Sequence, residues 1–169
     1  MSENQFKTVY KEAYKMISKL SVESPEAKRI RAQFRHAAAM IPGENPMLWG
    51  WLLENLDPEL QGKDGDISYA EYAIYITLSM FAIGPRNEDG RTIAEATAIA
   101  EIKRNRLVSA ETATDMIEMQ TALRGLIKLI DSKGYAFNYG KLAEDLLYWQ
   151  INKTNIARKW EREYARKEK

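Results

Sequence analysis

The chain has no cysteine and a single histidine, His36, among its 169 residues. Disulfides, zinc–thiolate sites and thiol nucleophiles are therefore excluded, and histidine-centred acid–base or transition-metal chemistry has almost no material. Long apolar runs are missing as well. The longest uncharged stretch, Tyr72 to Pro85, has 14 residues, too short to span a bilayer and suited to a buried helix. The first residues, MSENQFKTVYKEAYK, are charged and carry no secretory-signal core, so a cytoplasmic location without membrane attachment is the expectation. No GxxxxGK[ST] loop and no GxGxxG turn occurs, so no nucleotide cradle is signalled. Charge of one sign is also lacking overall, since 25 Lys and Arg face 24 Asp and Glu. No enzyme, cofactor or metal is expected on these grounds.

What is present is helical periodicity throughout, with no convincing strand alternation. A first helix is expected over 4–20, with Phe6, Val9, Tyr10, Ala13, Met16, Ile17 and Leu20 on one stripe. Ser24-Pro25-Glu26 reads as an N-cap with proline in the first turn, opening a helix to about Met40. After IPGENP, the segment MLWGWLLENL forms a short apolar helix, and another runs from Tyr69 to about Ile83. Further helices are expected near 91–108, 110–131 and 141–167. The polar Gly84–Gly90 segment is the best boundary. The expected architecture is all-α, two packed helical bundles (1–85 and 86–169) of roughly eight or nine helices.

GKDGDISYAEY (Gly62–Tyr72) resembles the second half of a calcium loop. With Glu71 at position 12, however, Leu60 and Gly62 fall at positions 1 and 3, where oxygen ligands are required. Ser68-x-x-Glu71 as a capping box is the stronger reading. Glu95 and Glu101, and the pair Glu144-Asp145, are interleaved with Lys or Arg and read as solvated helix pairs.

The charge is uneven along the chain. Residues 1–85 carry 9 basic against 11 acidic side chains, whereas the last 17 residues carry 7 against 3. At 100° per residue, Lys28, Arg31 and Arg35 share a flank of their helix, and Arg124 and Lys128 form an exposed i,i+4 pair. Arg158, Arg162 and Arg166 recur every four residues opposite the stripe of Leu142, Leu146, Trp149, Ile156, Trp160 and Tyr164, with Lys159 nearby. Like charges at this spacing weaken a helix by a few tenths of a kcal/mol, and the guanidinium fork suits phosphate. Arg104 and Lys153 fall within the apolar stripes, so they must pair with acids such as Asp145, snorkel, or line a groove. Geometry alone leaves nucleic acid and a protein partner open. A free-standing helical DNA-binding regulator or a protein-interaction adaptor, calcium-responsive or not, stands as the alternative.

The second half carries Gly90-Arg91-x-x-Ala94, Lys103-Arg104-Asn105-Arg106-Leu107-Val108 and Leu123-Arg124-Gly125-Leu126-Ile127-x-Leu129-Ile130. It closes with Asn138-Tyr139-x-x-Leu142-Ala143-x-Asp145-Leu146-Leu147-x-Trp149 and Arg158-Lys159-Trp160-x-Arg162-x-Tyr164. This order resembles CasB, the small subunit of the type I-E CRISPR surveillance complex, Cascade. In the first half Arg31-Ala32-Gln33-Phe34-Arg35-His36-Ala37 is similar to the family's arginine-rich segment, with His36 where arginine is common. The resemblance implies a non-catalytic, all-α subunit. Two copies would pack head to tail against the other Cascade subunits and their crRNA, holding the displaced single strand of target DNA. Arg31, Arg35, Arg104, Arg124, Arg158 and Arg162 match basic positions of the family. Lys128, Lys153 and Arg166 are added from helical geometry alone.

Overall fold

The computed structural model describes the backbone of residues 3–168 and the side chains of 7–166, so the expected place of Phe6 in the first stripe lies outside the described side chains. Nine α-helices and no strand occur among the described residues: α1 Glu3–Ser21, α2 Pro25–Ala37, α3 Pro46–Asn55, α4 Tyr69–Ile83, α5 Ile93–Ile99, α6 Arg104–Glu111, α7 Met116–Ser132, α8 Tyr139–Trp149 and α9 Lys153–Glu168. One 3-10 turn, Pro58–Leu60, follows α3. The all-α expectation holds.

Side-chain caps explain most helix starts. Ser24 accepts from the Ala27 amide at 3.1 Å, ahead of Pro25. Asn45, Asp115 and Asn138 cap α3, α7 and α8 in the same way. Ser68 and Glu71 form the expected capping box, and Thr92 and Glu95 form a second one. Glu95 is thus a cap rather than half of a solvated pair. Glu71 is almost wholly buried, its Oε1 taking the Ser68 amide at 2.8 Å, so its carboxylate serves the helix start.

Two expected long helices are each broken. The 91–108 span ends α5 in a Schellman motif: the Ile102 amide reaches Thr97 O at 3.1 Å and the Glu101 amide reaches Ala98 O. Glu101 takes the left-handed conformation, φ 57°, without the usual glycine. Ile102 is buried and its carbonyl accepts from Tyr164 Oη at 3.0 Å, so tertiary contacts hold the break. The 141–167 span breaks at Gln150–Asn152, where Asn152 Oδ1 accepts from the Asn155 amide and restarts the chain as α9. The expected helices 91–108 and 110–131 do not part at Ser109: α6 runs on to Glu111, and the turn comes at Thr112–Asp115.

The core is one continuous cluster from Val9 to Tyr164. Helix α4 is buried without interruption from Ala73 to Met80 and packs on α1, α2, α7 and α8. Helix α1 lies along α8, where Gly140 matters: a Cβ there would meet the Tyr14 and Tyr10 rings at 2.7 and 2.8 Å. Helices α5, α6 and α8 pack on α9, and α6 also packs on α7. The Gly84–Gly90 loop is pinned rather than loose. The Glu88 amide donates to Phe137 O at 2.9 Å, and Asn87 Oδ1 accepts from the Tyr139 amide at 2.9 Å.

Candidate nucleic-acid interface

The packing of α2 on α4, with α7 beside α4, brings three separate sequence segments to one face. A cleft of about 330 Å³ is lined by Arg35 of α2 and by Arg124 and Lys128 of α7, with Ala38, Ala39, Ala82, Ile83 and Gly84 between them. A second cleft of about 500 Å³ adjoins it through Arg35, Ala82 and Gly84, and adds Arg31 and Arg86. The small lining residues leave room between the cations, and Gly84 has little choice. A Cβ there would collide with Ile127, Tyr139 Oη and Met80 O.

These cations are not equivalent. Arg31 is half-buried and donates to the carbonyls of Leu20 and Val22, with Glu23 at 3.8 Å. It neutralises the exposed carbonyl end of α1 as well as lining the cleft. Arg35 is exposed and makes one long contact, Nε to Ala82 O at 3.4 Å. Arg124 and Lys128 have no ion-pair partner among the described residues. Among the described residues Glu23 is the one carboxylate lining either cleft, and it is divided between Lys28 at 3.3 Å and Arg31.

The structure therefore brings Arg31, Arg35, Arg124 and Lys128 together and adds Arg86, which sequence reasoning passed over as part of a boundary loop. The signal was present: a Gly-Pro-Arg triplet directly after a helix that carries no charge from Tyr72 to its end.

The α9 cations form a separate set. Arg158, Arg162 and Arg166 are exposed at four-residue spacing. Lys159 turns the other way, to Asp145 at 2.8 and 3.0 Å and to Glu163 at 3.6 Å. Asp145 also accepts from Trp160 Nε1 at 2.8 Å. It is buried, not solvated as expected, and burial raises its pKa above the ordinary range although Lys159 pulls it back. For Lys159, burial acts to lower the pKa, but Asp145 and Glu163 outweigh it and hold the ammonium charged.

Arg104 and Lys153 do not project from apolar stripes. Each is the first residue of a helix, because the breaks before α6 and α9 reset the helical phase. Arg104 pairs with Glu161 at 3.5 Å and covers the Tyr164 ring at 5.3 Å. Lys153 donates to Ala113 O at 3.1 Å beside the Trp149 ring. Neither reaches Asp145, which Lys159 and Trp160 hold. Below Arg104, Glu111 is buried beside Glu161, and its pKa is pushed up to about 8, by burial first and by Glu161 next.

His36 is exposed. Among the described residues no three His, Cys, Asp or Glu side chains gather to hold a metal ion, and no helix is long and apolar enough to cross a membrane.

Fold and surface define an all-helical protein with one group of cations around a small-residue cleft and another, exposed, along its last helix. The chain belongs to the CRISPR-associated protein Cse2 family, whose model matches residues 30–164. Its fold is that of CasB from Thermobifida fusca, with a TM-score of 0.72 at 21% identity over 94% of this chain and 96% of that one. CasB from Thermus thermophilus is similarly alike, with a TM-score of 0.67 at 22% identity over 98% and 99% of the two chains. A further Thermus thermophilus structure, of a CRISPR-associated protein of the Cse2 family, gives 0.64 at 21% identity over 98% and 99% of the two chains. No curated protein matches the chain.

Proposed function

We propose that this chain is the non-catalytic small subunit of a type I-E Cascade complex, and that it stabilises the displaced non-target strand by binding its phosphate backbone. One observation carries the reading: Arg35, Arg124 and Lys128 converge on one cleft from two helices far apart in sequence, and the two α7 cations are left without acidic partners among the described residues. A cleft lined, apart from its cations, by alanine, glycine and one isoleucine admits a sugar–phosphate backbone and has little with which to read base edges. Sequence choice then falls to pairing with the crRNA. Opening the target is a near-balanced exchange of duplexes, so a few phosphate contacts shift occupancy strongly.

The exposed Arg158, Arg162 and Arg166 ridge offers a second backbone contact. Pairing of two copies head to tail against the other subunits would lengthen the cationic track. With a formal net charge of only +1, the isolated chain should bind single-stranded DNA weakly and with salt sensitivity.

The test is an Arg158→Glu/Arg162→Glu variant in the reconstituted complex. R-loop lifetime should fall while assembly stays normal. An unchanged lifetime in a normally assembled complex removes those two residues from strand binding.

A further inference from the structure

Seven large apolar side chains stand well exposed among the described residues, and six of them, Ile41, Met47, Ile67, Tyr69, Ile117 and Ile151, are carried by segments that meet at one end of the helical stack. Their proximity follows from contacts between the segments that carry them. Gln150, preceding Ile151, donates from Nε2 to Tyr69 O at 2.8 Å. Gln120, one turn after Ile117, donates to the carbonyls of Ala38 and Met40, both at 2.9 Å. Tyr75 Oη lies 3.1 Å from Met40 O and 3.4 Å from Ile41 O. Pro42 and Gly43 share a cavity with Ile67 and Trp49, and Met47 lies in the first turn of α3 immediately before Leu48 and Trp49.

These polar clamps hold the backbone segments that carry the apolar residues, so the places of those residues on the surface are set before any partner arrives. A surface already in its binding geometry loses little freedom on association. The charge around it is acidic. Glu44, Asp64, Asp66, Asp115 and Glu118 are exposed there, against Lys63 and Lys153. Glu44 lies near enough to Tyr75, and Asp115 to Tyr72, to raise those phenols beyond what burial does, which places both carboxylates at this end. An apolar centre with an acidic rim repels phosphate and attracts lysine and arginine.

We infer that this end is a protein-docking surface, and that its partner is another protein subunit of the complex presenting an apolar ridge flanked by basic side chains. The inference rests on the proposed function, which supplies the complex. Nucleic acid and partner protein then meet different faces of the chain, the basic cleft and the acidic-rimmed end.

Two experiments on the full chain decide it. In the first, an Ile117→Ser/Ile151→Ser variant is offered with wild-type chain for assembly with the remaining subunits and crRNA. Incorporation should drop about tenfold or more, as for truncated central anchors, and should weaken further for Asp66→Lys. Single-stranded DNA binding by the isolated variant should be unchanged, because the cleft is untouched. In the second, Ile117→p-benzoylphenylalanine is irradiated within the assembled complex. The cross-link should run to a different protein subunit. A cross-link to nucleic acid or to a second copy of this chain, or none, overturns the surface, as does equal incorporation of the serine variant. If that variant does not fold, the cross-link alone decides. Wild-type chain that fails to join the complex overturns the proposed function itself, and the docking surface with it.

Discussion

Replacing Arg124 and Lys128 together by glutamine keeps the aliphatic stems on α7 and removes the two charges that no acid of the described chain neutralises. Because neither makes an ion pair, folding stability should move by less than about 0.5 kcal/mol. Function should move much more. A hydrogen bond to a charged group contributes about 1.5–3 kcal/mol, and screening at an open cleft reduces that toward about 1 kcal/mol each. Loss of about 2 kcal/mol for the pair shortens R-loop lifetime by about 30-fold. The salt dependence should flatten too, since each phosphate contact on single-stranded DNA adds about 0.7 to the slope of log K against log salt. Two contacts predict a slope shallower by about 1.4.

The assay is R-loop dissociation in the reconstituted complex at several ionic strengths. Its control is Lys7→Gln/Lys11→Gln, which changes net charge equally at exposed positions of α1 that line neither cleft. The control should stay within about twofold of wild type, since screening leaves distant surface charges with little effect. If both doubles shorten the lifetime alike, net charge is responsible rather than the cleft. If the α7 double keeps lifetime and slope unchanged in a normally assembled complex, the reasoning fails.

Two further outcomes concern stability. Asp145→Ala leaves the buried Trp160 indole N–H without its acceptor while Lys159 keeps Glu163, and should cost about 2–4 kcal/mol in urea unfolding, whereas Asp145→Asn, which retains an acceptor, should cost clearly less; equal losses would show that the indole bond is unimportant. Glu111 has a folded-state pKa near 8, above its unfolded value, so it binds a proton in the native state that the unfolded chain has released. The stability it contributes is complete below pH 4.5 and is lost as pH rises to about 8. Glu111→Gln should therefore gain on wild type between about pH 6 and about pH 9 in thermal melts, and a constant gap across that range refutes the assignment.

The helix starts were legible because their chemistry is local. Ser24-Pro25 and Ser68-x-x-Glu71 announce caps that the structure contains. The uncharged run in α4 likewise announced a buried helix. The breaks inside 91–108 and 141–167 were hidden for opposite reasons. Glu101 occupies a left-handed position where glycine would have signalled a stop, and the tie holding it comes from Tyr164, far along the chain. Asn152 did carry a capping signal, but the apolar stripe resumes in helical phase beyond it, with Trp149 and Ile156 both buried. Those missed breaks misplaced Arg104 and Lys153, whose directions depend on helical phase. The i,i+4 cations needed no tertiary information, and Arg124, Lys128, Arg158 and Arg162 are at the surface or half-exposed as their spacing implied. Their grouping did need it. Only the placement of α2 and α7 about the end of α4 joins Arg35 to Arg124 and draws in Arg86.

Helix α4 stands behind that cleft like a keel. Both walls are bolted to one greasy rod, whose residues Ala73 to Met80 have no wet side to turn outward, so the walls cannot swing apart without wetting the rod along its length. The gap between the teeth of the comb is thereby set when the protein folds. On the proposed function, a strand lying there would have to bend its own pliant spine to suit the comb, and any sequence of nucleotides would be held alike.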